Sequence, residues 1–490
     1  MRRISCLALG LGALAAAAGP AWAQATAEGA TKLKAVLEAW QPSSANLTPT
    51  EARYLVTKLR FDLFPGSWQV TPDGDGYRIR TPGSKAVLPA EFESIFLGYT
   101  VLACDPDQIH AAPATAGLYV LDGDEPLSCH LETPSGSARP VAAEGRHTFG
   151  SIDLDTASVS VDVILDHVTV KGRRANDPAR IDRLIISGGR RAVDGRSNLI
   201  SRYTLEGLSS PTLSGTITAD RIIAKATAES ADMVASSRAA TALAKRLAGL
   251  VGDAERATGD DPEVQALRDT LLGSIGLKLR QEITVEGLTA ITPERTIKAD
   301  TIVFDTTVSD FDRSQARVDT RLDGKGVAVG PSSPYTAWIP TEGTIRFAAE
   351  NLPLGLILPG PALSDTSDPA TAIWQAARSS LRIHIETAHL TAPEASLDLS
   401  GAIWSIHDAV RGQTGALQLH LIGLDGLLKT LQADPQASEI AAALTVLQVL
   451  GRQATLPDGR SARDYDIVLR SSGQILVNGA DVQTLVPKPL

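Results

Sequence analysis

Sulfur and aromatic rings are scarce in this chain. Of its 490 residues three are cysteine and two methionine, and aromatic side chains make up 4%. The aromatic shortage reads as compositional bias and carries no functional meaning. Basic residues are also in deficit: the formal charge is −10, which argues against a nucleic-acid partner, because affinity for phosphate backbones rests on clustered Lys and Arg. Beyond the N-terminus no stretch is long and apolar enough for a transmembrane helix, which needs about 20 such residues. Catalytic signatures are missing as well. There is no His-Glu-x-x-His, no Gly-x-Ser-x-Gly elbow and no Ser-x-x-Lys set, and Gly273-Ser274-Ile275-Gly276 is one residue too short for the elbow. The eight histidines are scattered. Their best cluster, His384 with Glu386 and His389, reads as sheet surface. Asp73-Gly74-Asp75-Gly76 starts like a calcium loop but lacks the later ligands and reads as a turn. No catalytic residue, metal site or cofactor is expected.

What is present begins with an export signal. Arg2 and Arg3 precede an uncharged apolar run over 4–18, Gly19-Pro20 breaks it, and Ala21-Trp22-Ala23 supplies small residues for cleavage. Residues 1–23 therefore read as a signal peptide, with Gln24 as the mature start and the periplasm as destination. Cys6 sits at the head of the apolar run, which speaks against a lipoprotein anchor. Cleavage leaves Cys104 and Cys129, an even pair that in an oxidising compartment reads as a disulfide.

Punctuation along the chain suggests three parts. Residues 24–150 read as an N-terminal α+β domain carrying the cysteine pair. It opens with two short helices, the second capped by Thr48 with Pro49 and Glu51 in its first turn, and continues with a hairpin over 68–80. Residues 151–350 read as a hairpin-repeat region with an inserted helix pair (229–280). Residues 351–490 read as a strand-helix-helix-strand block. Its second helix, 438–450, is apolar nearly all round, which suits burial or contact with lipid.

The centre repeats at an offset of 80 residues. Thr204, Glu206, Gly207 and Leu208 recur as Thr284, Glu286, Gly287 and Leu288. The match continues through Thr216/Thr296, Ile217/Ile297, Ala219/Ala299, Asp220/Asp300, Ile222/Ile302 and Thr227/Thr307. Each copy reads as strand, turn, strand. The apolar alternation changes phase at the Ala-Asp pair, as a β-bulge would produce, with the Asp capping or closing a turn. A further hairpin is expected to turn at Asp323-Gly324-Lys325-Gly326. The expected fold is thus α+β and β-rich, with repeated β-hairpins forming extended curved antiparallel sheets beside packed helix pairs.

One segment runs against the acidic balance. Residues 171–202 hold nine Lys and Arg against three Asp. Lys171, Arg173, Arg174, Arg190, Arg191 and Arg196 flank two expected turns, so they would project from one end of a hairpin. They are either edge protection against strand pairing or an anion site for lipid phosphates.

The terminal block, with Gly423-Leu424-Asp425-Gly426-Leu427-Leu428, Pro457-Asp458-Gly459-Arg460 and the closing Gly473-Gln474-Ile475-Leu476-Val477-Asn478-Gly479, resembles exported alphaproteobacterial proteins known only as a domain of unknown function. The central hairpins are more loosely similar to AsmA-type envelope proteins. That resemblance implies long curved sheets with an apolar groove that handles lipid. Neither resemblance supplies a catalytic residue. The expectation is a periplasmic, non-enzymatic envelope protein that binds a lipid-like or apolar ligand in a sheet groove, or associates with an anionic membrane surface or an envelope protein. A structural assembly factor and a hydrolase of envelope material are the alternatives.

Overall fold

The computed structural model describes residues 25–482 except 45, 58, 60, 89–100, 125–127, 134–136, 171–177, 213–214, 250–260, 311–314, 354–380, 407 and 458–459. One antiparallel sheet of 25 strands runs through these residues, joined by six α-helices, so the β-rich α+β architecture built from repeated hairpins is what forms.

The N-terminal segment lays down α1 (Ala27–Trp40) and α2 (Pro49–Thr57). Thr48 and Glu51 form a reciprocal cap on α2. Glu51 N–H donates to Thr48 Oγ1 at 3.3 Å and Thr48 N–H to Glu51 Oε2 at 2.7 Å, which satisfies otherwise orphaned donors and holds the Glu51 carboxyl below its ordinary range. Two strand sets follow. β1 (Gln69–Asp73), β2 (Gly76–Arg80), β5 (Gln108–Thr115), β6 (Leu118–Gly123) and β9 (Gly145–Asp153) pair in that order. β3 (Ser84–Val87), β4 (Val101–Cys104), β7 (Cys129–Glu132) and β8 (Ala138–Ala142) form the other set. Both meet on β10 (Ser158–Val170), β9 along its first part and β8 at Thr169 and Val170. Cys104 and Cys129 face each other across β4 and β7 with Cα atoms 4.1 Å apart and sulfurs at bonding distance. The expected boundary at residue 150 falls inside β9, within the continuous sheet.

From β10 the sheet grows in chain order. β11 (Ala179–Val193), β12 (Arg196–Pro211) and β13 (Thr216–Ala231) are followed by the helix pair α3 (Met233–Gly249) and α4 (Pro262–Ile275). Then come β14 (Lys278–Ile291), β15 (Thr296–Ser309), β16 (Gln315–Lys325), β18 (Glu342–Pro353), β19 (Arg382–Thr391), β20 (Ser396–Ser405) and β21 (Gln413–Ile422). β17 (Ala328–Gly330) lies beside β15. The chain closes with α5 (Leu424–Gln432), α6 (Ser438–Leu450), β22 (Arg452–Thr455), β23 (Ser461–Leu469), β24 (Ile475–Val477) and β25 (Ala480–Asp481).

The repeat is exact in pairing. Thr204 faces Ile223 in β12–β13, and Thr284 faces Val303 in β14–β15, each 80 residues on. The phase change at the Ala-Asp pair is present too, since Leu205 and Leu208 are both buried, as are Ala219 and Ile222. Its mechanism differs from a bulge. Register is unbroken across both rungs, so neither strand gains a residue; both change phase together. Gly207 and Gly287 adopt φ of 65° and 63°, and a Cβ on either would stand 2.0 Å from a carboxylate oxygen, Asp182 Oδ2 and Asp220 Oδ2 respectively. Gly326 meets Asp300 in the same way. With His167 at φ 51° on β10, positive-φ residues alternate with aspartates on successive strands, making a crease across the sheet. The repeated Asp closes no turn. The expected hairpin at 323–326 is this crease as well: β16 and β17 both pair with β15, and the chain continues in one direction past Gly326.

One face of the sheet is covered. Leu205, Leu208 and Ile222, each at most 2% exposed, pack with Leu102, Cys129 and Leu131 of the folded-over N-terminal set. Burial of such a side chain contributes roughly 1.5–3 kcal/mol. α3 and α4 pack with α2 against Leu279, Val308 and Ala316 of the same face. At the far end α5 and α6 enclose a small core around Leu428, Leu431 and Ala441. The burial suggested by the composition of α6 is only partly realised, because Ile440 (58%) and Val449 (77%) remain exposed.

Candidate functional site

Where the N-terminal layer lies over the first part of this inner face, the two do not meet completely. A cavity of about 840 Å³ remains, within the range of roughly 300–1,000 Å³ usual for small-ligand sites. Its floor is β10–β14, with Val163, Ile186, Tyr203 and Ala224 on it. Its roof is the end of α1, the segment 41–44 and the Phe61-Asp62-Leu63-Phe64 connection, and α3 forms a side with Met233 and Ala240. Trp40 is stacked on Trp68 at a centroid distance of 6.5 Å, and Trp68 Nε1 donates to Gln41 O at 3.1 Å, which holds the roof segment in place. On the floor Gly188 lets this roof come down: a Cβ there would stand 3.0 Å from the Trp40 ring.

The apolar floor extends far past the cavity. Cross-strand neighbours carry it from Val163 to Ile186, Tyr203 and Ala224, then to Ile283, Phe304, Leu322 and Ile345, then to Ala388, Leu399, Leu419 and Tyr465. That row crosses a dozen strands, on the order of 50 Å at the usual strand spacing. In its middle the cover thins, and Leu322 is 40% exposed. The opposite face carries charge in the matching row, with Arg202, Lys225, Glu282, Asp305, Arg321 and Arg346 as successive neighbours.

A few polar groups interrupt the cavity. Arg146 and Asp107 form a buried ion pair, and Arg146 Nη2 also donates to Thr148 Oγ1 at 2.7 Å. Asp62 hangs from the roof, where the Val87 N–H donates to its Oδ1 at 2.8 Å. Surrounding protein desolvates this carboxyl and pushes its pKa up. By accessible surface, however, the residue is exposed, so the packing around its carboxyl is one-sided. Tyr203 lies on the floor opposite, and burial raises its hydroxyl pKa, with the field of Asp62 adding to the effect.

The expected basic patch is divided by the structure. Lys171, Arg173 and Arg174 lie outside the described residues. Their flanking residues, Val170 and Pro178, stand at one end of β11, while the turn at Asp194-Gly195 stands at the other. A strand of this length puts Pro178 and the Asp194-Gly195 turn on the order of 50 Å apart, so Arg190, Arg191 and Arg196 stand at the end of β11 far from Val170 and Pro178. Arg190 is a structural brace: Nε donates to Ser197 Oγ and Nη1 to Ala157 O, both at 2.8 Å, and burial lowers its pKa. Arg196 Nη1 donates to Ser230 O at 3.1 Å, and Arg191 is exposed. His384 stands 3.7 Å from Glu350 and His389 2.5 Å from Asp398. Among the described residues no group of three or more His, Cys, Asp or Glu is placed to hold a metal ion, and no histidine lines the cavity.

Asp62, Tyr203 and the Arg146–Asp107 pair were not singled out by sequence. One signal existed for the first, a lone carboxylate inside the apolar run Phe61-Asp62-Leu63-Phe64. Fold and site together define a single-sheet antiparallel protein with a roofed apolar cavity at one end of a long apolar face. No family model, curated protein or solved structure matches the chain. Among the described residues no helix is long and apolar enough to cross a membrane, and the Cys104–Cys129 pair fits an oxidising compartment.

Proposed function

We propose that this chain is an exported, periplasmic envelope protein that binds a lipid-like or apolar ligand without transforming it. The observation that carries the reading is the unbroken apolar row from Val163 to Tyr465, which begins inside the cavity and continues along the sheet. A filled sheet core would have favoured a purely structural role; here about 840 Å³ lies open above the apolar floor. The likeness of the central hairpins to AsmA-type proteins points the same way, and the leader-like residues 1–23 and the cysteine pair support export.

The test is native mass spectrometry of protein isolated from a periplasmic fraction, together with binding of the neutral apolar fluorophore N-phenyl-1-naphthylamine. Co-purified lipid and saturable binding are expected. Val163→Trp, at a half-buried position of the cavity floor, should abolish fluorophore binding, with an unchanged circular-dichroism spectrum as the check that the protein stays folded. Absence of both lipid and fluorophore binding in the unaltered protein overturns the reading.

A further inference from the structure

The cavity's polar groups specify more than an apolar occupant. Arg146 is committed: it is buried and spends its Nη2 on Asp107 and Thr148. Lys225 borders the floor, but its neighbours Ala224 and Ala226 face the cavity. Strand alternation therefore sends the lysine side chain to the outer face, beside Arg202 and Glu282. On the acidic side, Asp107 is spent on Arg146, whereas Asp62 accepts from a single backbone N–H, and Asp105 is exposed at the cavity's border. Tyr203 supplies a hydroxyl on the floor beneath Asp62. The cavity thus offers an acceptor and a hydroxyl, with carboxylate charge in excess and no uncommitted cation directed inward among the described residues.

From this arrangement we infer that the ligand is an amphipath whose head donates hydrogen bonds and is neutral or cationic, a hydroxyl or a protonated amine, held between Asp62 and Tyr203 with its apolar part along the floor. An anionic head, a carboxylate or a phosphate, would meet the Asp62 carboxylate with no uncommitted inward cation among the described residues to offset the repulsion of like charges. The ligand class so defined excludes free fatty acids and acidic phospholipids from this cavity. The inference rests on the apolar-ligand reading above and adds the chemistry of the head.

The experiment uses the full mature chain and three probes of one chain length at sub-micellar concentration: dodecylamine, dodecanol and dodecanoate. Binding is followed by calorimetry and by the emission of Trp40 and Trp68, which border the cavity. At neutral pH dodecylamine should bind at least about tenfold more tightly than dodecanoate, the low end of what one charge-assisted hydrogen bond supplies. Asp62→Asn should weaken dodecylamine by about tenfold while leaving dodecanol nearly unchanged. Tyr203→Phe should weaken dodecanol. If dodecanoate binds as tightly as dodecylamine, or if Asp62→Asn leaves the amine's affinity intact, the head-group inference falls and the apolar-ligand reading survives. If none of the three binds, both fall.

Discussion

Gly287→Ala is the sharpest test of the crease. In the native rung Gly287 sits at φ 63°, and an added Cβ would stand 2.0 Å from Asp220 Oδ2, closer than any real contact. Two costs add. A residue with a β-carbon in the left-handed region loses about 1–2 kcal/mol. Driving the Asp220 carboxylate out of its rotamer costs about 0.5–1.5 kcal/mol more. Local opening of β14–β15 should therefore become easier by about 2–3 kcal/mol, and hydrogen exchange of the amides flanking the rung should speed by about 30-fold or more. The second arm is Gly287→Ala placed on Asp220→Ala. With the carboxylate gone only the backbone strain remains, so the glycine substitution should cost less there by about 0.5–1.5 kcal/mol. Exchange changed less than about twofold, or the same penalty in both backgrounds, refutes the claim that these residues make one rung.

Three further outcomes are expected. Because desolvation by the surrounding protein raises the Asp62 pKa in the folded state, the folded chain holds this proton more tightly than the unfolded one. Its ionisation is then a destabilisation that is absent below the ordinary carboxylate value of about 4 and grows as pH rises past it. Asp62→Asn should melt higher than the native chain at neutral pH, with the difference vanishing in acid; equal melting at both pH values contradicts the assignment. Reducing the Cys104–Cys129 bond, which closes a loop of 25 residues, should cost about 3–3.5 kcal/mol by chain entropy and increase proteolysis first in the N-terminal layer. Arg190→Gln, which breaks two hydrogen bonds, should destabilise by about 1–3 kcal/mol, while Arg191→Gln should stay within about 0.5 kcal/mol in a thermal melt.

Local pattern carried the elements where one segment determined its own conformation. The 80-residue repeat announced two equivalent hairpins, and their registers coincide. Thr48 and Glu51 announced the α2 cap, and the helix expected over 438–450 forms with those bounds as α6. The errors arose where meaning depended on a neighbouring strand. Asp220 alternates like a residue beside a bulge, but what it opposes is Gly287 on the next strand, and no pattern within one strand reveals that. Asp323–Gly326 has turn composition, yet the same glycine freedom serves a crease. Arg190 looked like a surface charge until Ala157 and Ser197 came within reach of it. The cavity was least legible, since Trp40, Asp62, Val163 and Tyr203 converge from segments far apart in the chain, and only the packing of the N-terminal layer on the sheet brings them together.

From β10 to β15 each strand pairs with the strand before it and the strand after it, and the same serial order resumes through β18 to β21. Such a ribbon is close to one-dimensional, and its stability is a sum of interfaces between neighbours. Folding can then start at either repeated hairpin and spread outward, although the pairing of β13 with β14 must close over the inserted helix pair, as between Thr216 and Ile291. Damage stays local for the same reason. Fraying from the β25 end must cross β24, β23, β21, β20, β19, β18, β16 and β15 before it reaches β14, the first strand bordering the cavity. A chain cut after β21 should therefore keep its roofed end folded while losing the far end of the sheet.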